Sequence, residues 1–293
     1  MKNAIDLVII NYVNTYKVGG KMTGILVVNA YLSGEKFDAL HSHLKNSAKN
    51  MNINLEIKTN EDMVFFNGNA DFILFWDKDV NLARLLEKRG YRVFNSAESI
   101  ALCDDKAKTY IALDGVVPQP ETVIAPLTFF ENTDYTAFIE KAAEKFGLPL
   151  VFKECFGSFG QQVYLCNTVE DIKLHISSKP FLLQKFIAES KGRDVRIEVV
   201  DGECVAAIKR TNKTDFRSNL TNGGTAEPYN PTQKEKGLAL KACSALGLTF
   251  GGVDILGGSL VCEVNSNAHI INLLNVTGVD TAPLIFNAIG KKL

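Results

Sequence analysis

GVDILGGSLVCEVN, residues 252–265, constrains this chain more than any other stretch. Two runs of strand length, alternating apolar and polar, flank Gly257-Gly258, the signature of a β-hairpin. Around a two-residue turn, opposed positions sum to 515. Val253, Ile255, Cys262 and Val264 then face a core, while Asp254, Glu263 and Asn265 emerge on the opposite face beside Val261. RDVRIEVVDGECVAAIKR (193–210) repeats the logic around Asp201-Gly202, with opposed positions summing to 403. Here Val195, Ile197, Val199, Cys204, Ala206 and Ile208 form the apolar face, and Asp194, Arg196, Glu198 and Lys209 the polar one. Two such hairpins demand an antiparallel sheet with one polar face.

Two carboxylates and an amide on one strand pair are hard oxygen donors. They suit magnesium, with manganese as a substitute, which keeps positions open for phosphate oxygens. The same alternation also describes a solvated strand face. A second element, KECFGSFGQQV (153–163), sets Lys153 ahead of a flexible turn containing Gly157, Ser158 and Gly160. The order differs from GxxxxGK[ST], where the lysine follows the glycines. Lys106, in DDKAK, is another candidate, and either lysine alone could be an ordinary surface residue. KRTNKTDFRSNLTNGG (209–224) supplies Arg210, Arg217 and Asn219 in a weakly apolar segment that alone reads as a mobile loop. Arginine forks bind phosphate or carboxylate through paired hydrogen bonds. Cations, flexible backbone donors and a metal-binding face together suit a nucleoside triphosphate.

Strand-like and helical stretches alternate through the first third: 24–32, 35–50, 54–59, 71–76, 81–90 and 91–95. That alternation predicts a parallel sheet with crossover helices. Asn95 with Glu98 reads as a cap opening one helix through about Ala112, and Pro118 and Pro120 mark a join. A helix over 134–146, strands over 162–168 and 181–187, and a helix near 168–177 follow. Thr232 and Glu235 predict a capping box for the helix at 233–246. The units read as 22–115, 116–182 and 183–293, with 1–21 as an extension outside the core.

The 293 residues suffice for two or three compact units, and 46% apolar content is ordinary. A net charge of −1 leaves no footprint for nucleic acid, and no apolar run reaches the ~18 residues of a membrane span. The six cysteines show no CxxC or Cys/His spacing, so they read as buried thiols of a cytoplasmic protein.

DDKAK, KECFGSFGQQV, LLQKFI, GRDVR, AAIKR, DFRSNLTNGG, GVDIL and EVN occur in an order that resembles the ATP-grasp superfamily, in particular its RimK-like α-L-glutamate ligases. The resemblance implies an α/β chain, α+β in its C-terminal part: an ATP-grasp fold behind an N-terminal parallel-sheet domain. It implies that Lys106 and Lys153 contact the phosphates of ATP under the 157–160 turn. Gln184, Lys185 and Phe186 would border adenine. Asp194, Lys209, Arg210, Ser218 and Asn219 would line the nucleotide site, and Asp254, Glu263 and Asn265 would hold Mg2+. Arg196 and Arg217 would steady the transferring phosphoryl group. The implied reaction joins an amino acid such as glutamate to a carboxylate acceptor (a small molecule, peptide or protein C-terminus) through an acylphosphate, in a chain that could form a homo-oligomer. The sequence departs from the family at Lys185, often acidic there, and at SNAHI (266–270), where a loop reading like ASPG is common. His269 in that loop reads either as a substrate contact or as a surface residue. A kinase on the same fold and an ATP-sensing protein without catalysis are the alternatives, and a dehydrogenase is weak because no GxGxxG follows the first strand.

Overall fold

The computed structural model describes residues 22–130, 133–158 and 160–293; the extension expected over 1–21 lies outside them, as does position 159 of the glycine turn. Strand β1 (Met22–Val28) is buried over its last five residues. Helix α1 (Glu35–Asn50) buries Leu40, Leu44, Ser47 and Ala48, one face at helical spacing. β2 (Ile53–Thr59) runs into α2 (Asn60–Val64), where Thr59 and Asp62 cap each other reciprocally. β3 (Phe72–Phe75), α3 (Val80–Lys88) and β4 (Val93–Phe94) complete a parallel sheet in the order β2-β1-β3-β4. The alternation read from the sequence is this sheet.

The single helix expected from Asn95 to Ala112 is two. α4 (Ala97–Asp104) is capped by Ser96, and α5 (Lys106–Leu113) begins after Asp105 leaves the helical backbone. The Asp105 carboxylate accepts from the N–H groups of Ala107 and Lys108, which starts the new helix. Lys106 therefore stands at a helix start, its N–H donated to the Cys155 carbonyl at 2.9 Å. Asn95 is not a cap at all. It is 1% exposed, donates to the carbonyls of Phe250 and Ser266, and accepts from the N–H groups of Thr249 and Phe250.

A second sheet, all antiparallel, holds β5 (Thr122–Ile124), β6 (Leu150–Glu154), β7 (Val163–Cys166) and β8 (Phe181–Lys185) in the order β5-β8-β6-β7. α6 (Thr136–Phe146) and α7 (Val169–Lys173) contribute to its core, Ile139 and Ile172 packing with Phe152 and Phe181. β8 crosses residue 183, where the sequence suggests a boundary.

The third sheet carries the two hairpins: β9 (Arg193–Val200), β10 (Glu203–Thr211), β11 (Thr225–Pro228), β12 (Phe250–Leu256) and β13 (Leu260–Asn265), in the order β11-β10-β9-β12-β13. α8 (Gln233–Ala245) has the expected Thr232–Glu235 capping box. α9 (Ile270–Thr277) and α10 (Ala282–Lys292) return to the first sheet, where Ile285, Phe286 and Ile289 share a core with Leu26, Phe72 and Leu74. Trp76 stacks on Phe250 at 5.6 Å in that core, so the first and third sheets are packed together.

Both hairpin registers correct the sequence reading. Asp201 and Gly202 form the expected two-residue turn with positive φ, and Cys204 opposes Val199. A bulge between Cys204 and Ala206 then shifts the pairing by one. Ile208 consequently opposes Arg196 and Arg210 opposes Asp194, which transfers Ala206 and Ile208 to the polar face and Lys209 away from it. In the other hairpin three residues, not two, separate Leu256 from its partner Leu260, and a second bulge follows Asp254. The odd turn and the bulge cancel. Asp254 opposes Glu263 directly and Asn265 opposes Gly252, so the shared face stands, while Val261 opposes Ile255 and both are buried. Cys262, expected in the core, is the bulge residue and lines a pocket.

Candidate active site

The polar face of the third sheet is organised in rows across strands. One row reads Ile208, Arg196, Asp254, Glu263; the next reads Ala206, Glu198, Gly252, Asn265. Arg196 meets Asp254 through two parallel bonds, Nε to Oδ1 and Nη2 to Oδ2, both 2.7 Å. Arg210 forks onto Asp194 and also reaches Asp254 Oδ2 at 2.8 Å. Four charges cancel in one tetrad, and Asp254 is 3% and Arg210 4% exposed. Burial and Arg210 oppose the Arg196 charge, but Asp254 outweighs them and its pKa goes up. Burial likewise opposes ionisation of Asp254, yet the two arginines hold its carboxyl below the usual range.

A cavity of about 130 Å³ lies above this floor, lined by Lys106, Lys153, Gly157, Ser158, Gly160, Gln184, Lys185, Phe186, Asp194, Arg210, Arg217, Ser218, Asn219, Asp254 and Glu263. Lys106 Nζ donates to the Gly157 carbonyl at 3.3 Å; burial lowers its pKa, partly offset by Glu263. Lys153 is 8% exposed, with Nζ 3.6 Å from Cys262 Sγ. The N–H of Lys185 is donated to the Glu121 carbonyl at 2.8 Å, which takes that donor away from any ligand. Arg217 holds Asp215 and donates to the carbonyl of Gly160, joining the 211–224 segment to the glycine turn. Gly160 has φ +71°, and a Cβ there would meet Asn219 Oδ1 at 3.1 Å, so glycine is required.

Of the residues singled out from the sequence, Lys209 is the one the bulge turns aside. It lies on β10 opposite Val195, pairs with Glu227 at 3.5 Å, and is absent from the cavity lining. Arg196 and Asn265 line a second cavity, of about 530 Å³, that shares Gly157, Ser158, Gly160, Arg210, Asn219 and Glu263 with the first. Sequence reasoning missed this space, because its walls come from distant segments: Asn29, Lys36 and Leu40 from the first unit, Glu198 from β9, and His269 and Leu273 near α9. Burial pushes the Glu198 carboxyl up to about 7 and the His269 imidazole down to about 4. Asn212 was also missed. Its Oδ1 accepts from Thr214 and Asp215 while its amide donates to Asn222, which shapes the 211–224 segment; TNKTD carries that Asx-turn signal.

Asp254, Glu263 and Asn265 offer oxygen donors of the kind magnesium takes. Among the described residues no group of three His, Cys, Asp or Glu side chains converges as a metal site. Asp254, whose oxygens the arginines occupy, would share them with the ion. No helix among the described residues is long and apolar enough to cross a membrane.

Residues 103–289 match the RimK-like ATP-grasp domain family. An uncharacterised protein of Mycoplasma pneumoniae is 35% identical over 244 residues, 78% of this chain and 85% of its own. Human N-acetylaspartylglutamate synthase A is 33% identical over 224 residues, 71% of this chain but 55% of its own. The crystal structure of the D-alanine–D-alanine ligase of Bacillus anthracis with ATP superposes at a TM-score of 0.70, covering 93% of this chain and 98% of that one, at 16% identity. That likeness establishes the fold.

Proposed function

This chain belongs to the RimK-like ATP-grasp family, and from that premise we propose that it is an ATP-dependent carboxylate–amine ligase working through an acylphosphate. The observation that carries the reading is the junction of two cavities at Arg210, Glu263 and the Gly157–Gly160 turn. The smaller has the lysines, loop and floor for a triphosphate; the larger has room for the organic substrates. In the overall balance the acceptor carboxylate and the amine lose water to form an amide, and ATP becomes ADP and phosphate.

Lys106 and Lys153 would neutralise the phosphates, and the backbone beside Phe186 would border adenine. The 157–160 turn and Arg217–Asn219 would exclude water, to which an acylphosphate is lost. Magnesium, held by Asp254, Glu263 and Asn265, would withdraw charge from the phosphate oxygens. Arg196, between Asp254 and the larger cavity, would steady the phosphoryl group at the junction. We read 22–115 as the unit that helps choose the acceptor, since Asn29 and Lys36 line the larger cavity, and 116–182 and 183–293 as the two halves closing on nucleotide.

One observation favours a second reading. The tetrad is already charge-balanced without a metal, as a nucleotide sensor would tolerate. Incubation with ATP, magnesium, amino acids and pooled carboxylate acceptors separates the two. A product heavier by one amino-acid residue, formed with ADP, supports the ligase. ADP with a phosphorylated product and no amide favours a kinase, and binding without turnover favours the sensor.

A further inference from the structure

Among the described residues, one carboxylate on the wall of the larger cavity receives no hydrogen bond. Asp77 Oδ1 accepts from the Asn29 amide and the Lys78 N–H, although its Oδ2 has no partner among the described residues, and Glu263 lies among cations that include Lys106. Glu198 has neither arrangement. It is 2% exposed, lines the cavity, and among the described residues receives no hydrogen bond. Its carboxylate lies against Gly252, where an added Cβ would come within 3.2 Å of Oε2 and 2.9 Å of the Ala268 Cβ. The absence of a side chain there leaves the carboxylate its place. Across Gly252 stands Asn265, whose buried Nδ2 has no hydrogen-bond partner among the described residues.

A buried carboxylate without donors is costly, and the cost falls when a cation completes it. Arg196, its neighbour on the same face, is committed to Asp254. No ion pair to Glu198 forms among the described residues, so an incoming cation can complete it. Glu198 lies one row from Arg196, Asp254 and Glu263, roughly 7 Å along a strand. A primary ammonium held there stands beside the junction where an acylphosphate would be attacked.

We propose that Glu198 recognises the amine substrate, its carboxylate taking the primary ammonium of a zwitterionic amino acid. The substrate's carboxylate faces the unused Asn265 amide N–H and the positive side of the cavity at Lys36. This assignment rests on the ligase reading for the phosphorylated partner, but the ammonium contact is tested by binding alone. Two sources of ammonium share the chemistry, the α-amino group and the side chain of a basic amino acid.

The experiment is titration calorimetry on the full chain saturated with magnesium and a non-hydrolysable ATP analogue. The probes are the twenty L-amino acids, then the α-N-acetyl and, for lysine, ε-N-acetyl forms of any that bind. At least one amino acid is expected to bind. Acetylating the contacting amine should abolish binding, which tells the two sources apart. Glu198→Gln should bind that amino acid about tenfold or more weakly, with affinity for the nucleotide analogue unchanged. Unaltered amino-acid affinity in Glu198→Gln, binding indifferent to acetylation of every amine, or no binding by any of the twenty would each overturn the assignment. Failure of the wild-type chain to bind the nucleotide analogue would instead bring down the ligase reading, and it is read in the first titration. Equal thermal stabilisation of both proteins by the analogue shows that the variant is folded.

Discussion

The two cavities share a wall but differ in how their polar groups are treated. Within the tetrad every charge has a counter-charge: Arg196 with Asp254, Arg210 with Asp194 and Asp254. On the other side, Glu198 receives no hydrogen bond among the described residues, and Asn265 Nδ2 and His269 Nδ1 are buried without partners. Paired groups are rigid and specify the floor. Unpaired ones are poised for something to arrive. Under the proposed function, the cavity assigned to nucleotide is prepared in advance and the one assigned to substrates is completed by what it binds.

Asp254→Asn attacks the prepared side most directly. Phosphate release should fall by on the order of 100-fold or more, with nucleotide affinity changed little. Parallel turnover and binding assays check this, and retention of turnover would mean that the floor is only structural. Asn95→Ala removes four buried hydrogen bonds behind the Gly252–Asn265 row. It should cost about 2–4 kcal/mol in denaturant unfolding, since the backbone groups stay buried; a smaller loss would show that this row is not braced from the first unit.

Glu198→Gln sharpens the contrast through pH. The Glu198 carboxyl is raised from 4.5 to about 7 in the folded state. Its contribution is fully present below the unfolded pKa and is lost as pH rises through 7. The wild-type chain should therefore lose stability relative to Glu198→Gln between about pH 4.5 and pH 7, by roughly 1–3 kcal/mol. Paired melting curves at pH 5 and pH 8 measure it; a difference independent of pH would mean that Glu198 has an unseen partner. Thr232→Ala, distant from either cavity, should cost about 1 kcal/mol through the lost cap. A cost confined to unfolding assays, with unchanged turnover, would make it a control for both regions.

The difference between the sides also explains what could be read from the chain. The floor lies on two hairpins whose alternation and turn residues are local, so counting put Arg196 on the polar face of one and Asp254, Glu263 and Asn265 on the polar face of the other. Counting failed where one extra residue entered a strand. The bulge after Cys204 exchanged Lys209 for Arg210, and nothing in ECVAAIKR announces it. The odd Gly257–Ser259 turn went unnoticed because the bulge after Asp254 restored the parity. The break at Asp105 was hidden because DDKAK has good helix formers on either side, and the decisive contact, from Lys106 N–H to Cys155, is long-range. Of the completed side, only Glu198 on its polar face and His269 in its loop were read, and not their meeting. Lys36, Glu198 and His269 meet only because α9 and α10 fold back on the first sheet.

The bond from Arg217 to the Gly160 carbonyl ties the 211–224 segment to the glycine turn beside the proposed nucleotide site. Two segments, separated in the chain by β7, α7, β8 and the β9–β10 hairpin, share one fastening. If both segments cover the proposed nucleotide, opening either one breaks a bond that the other shares. A substitution that loosens either segment would hasten the departure of everything beneath both.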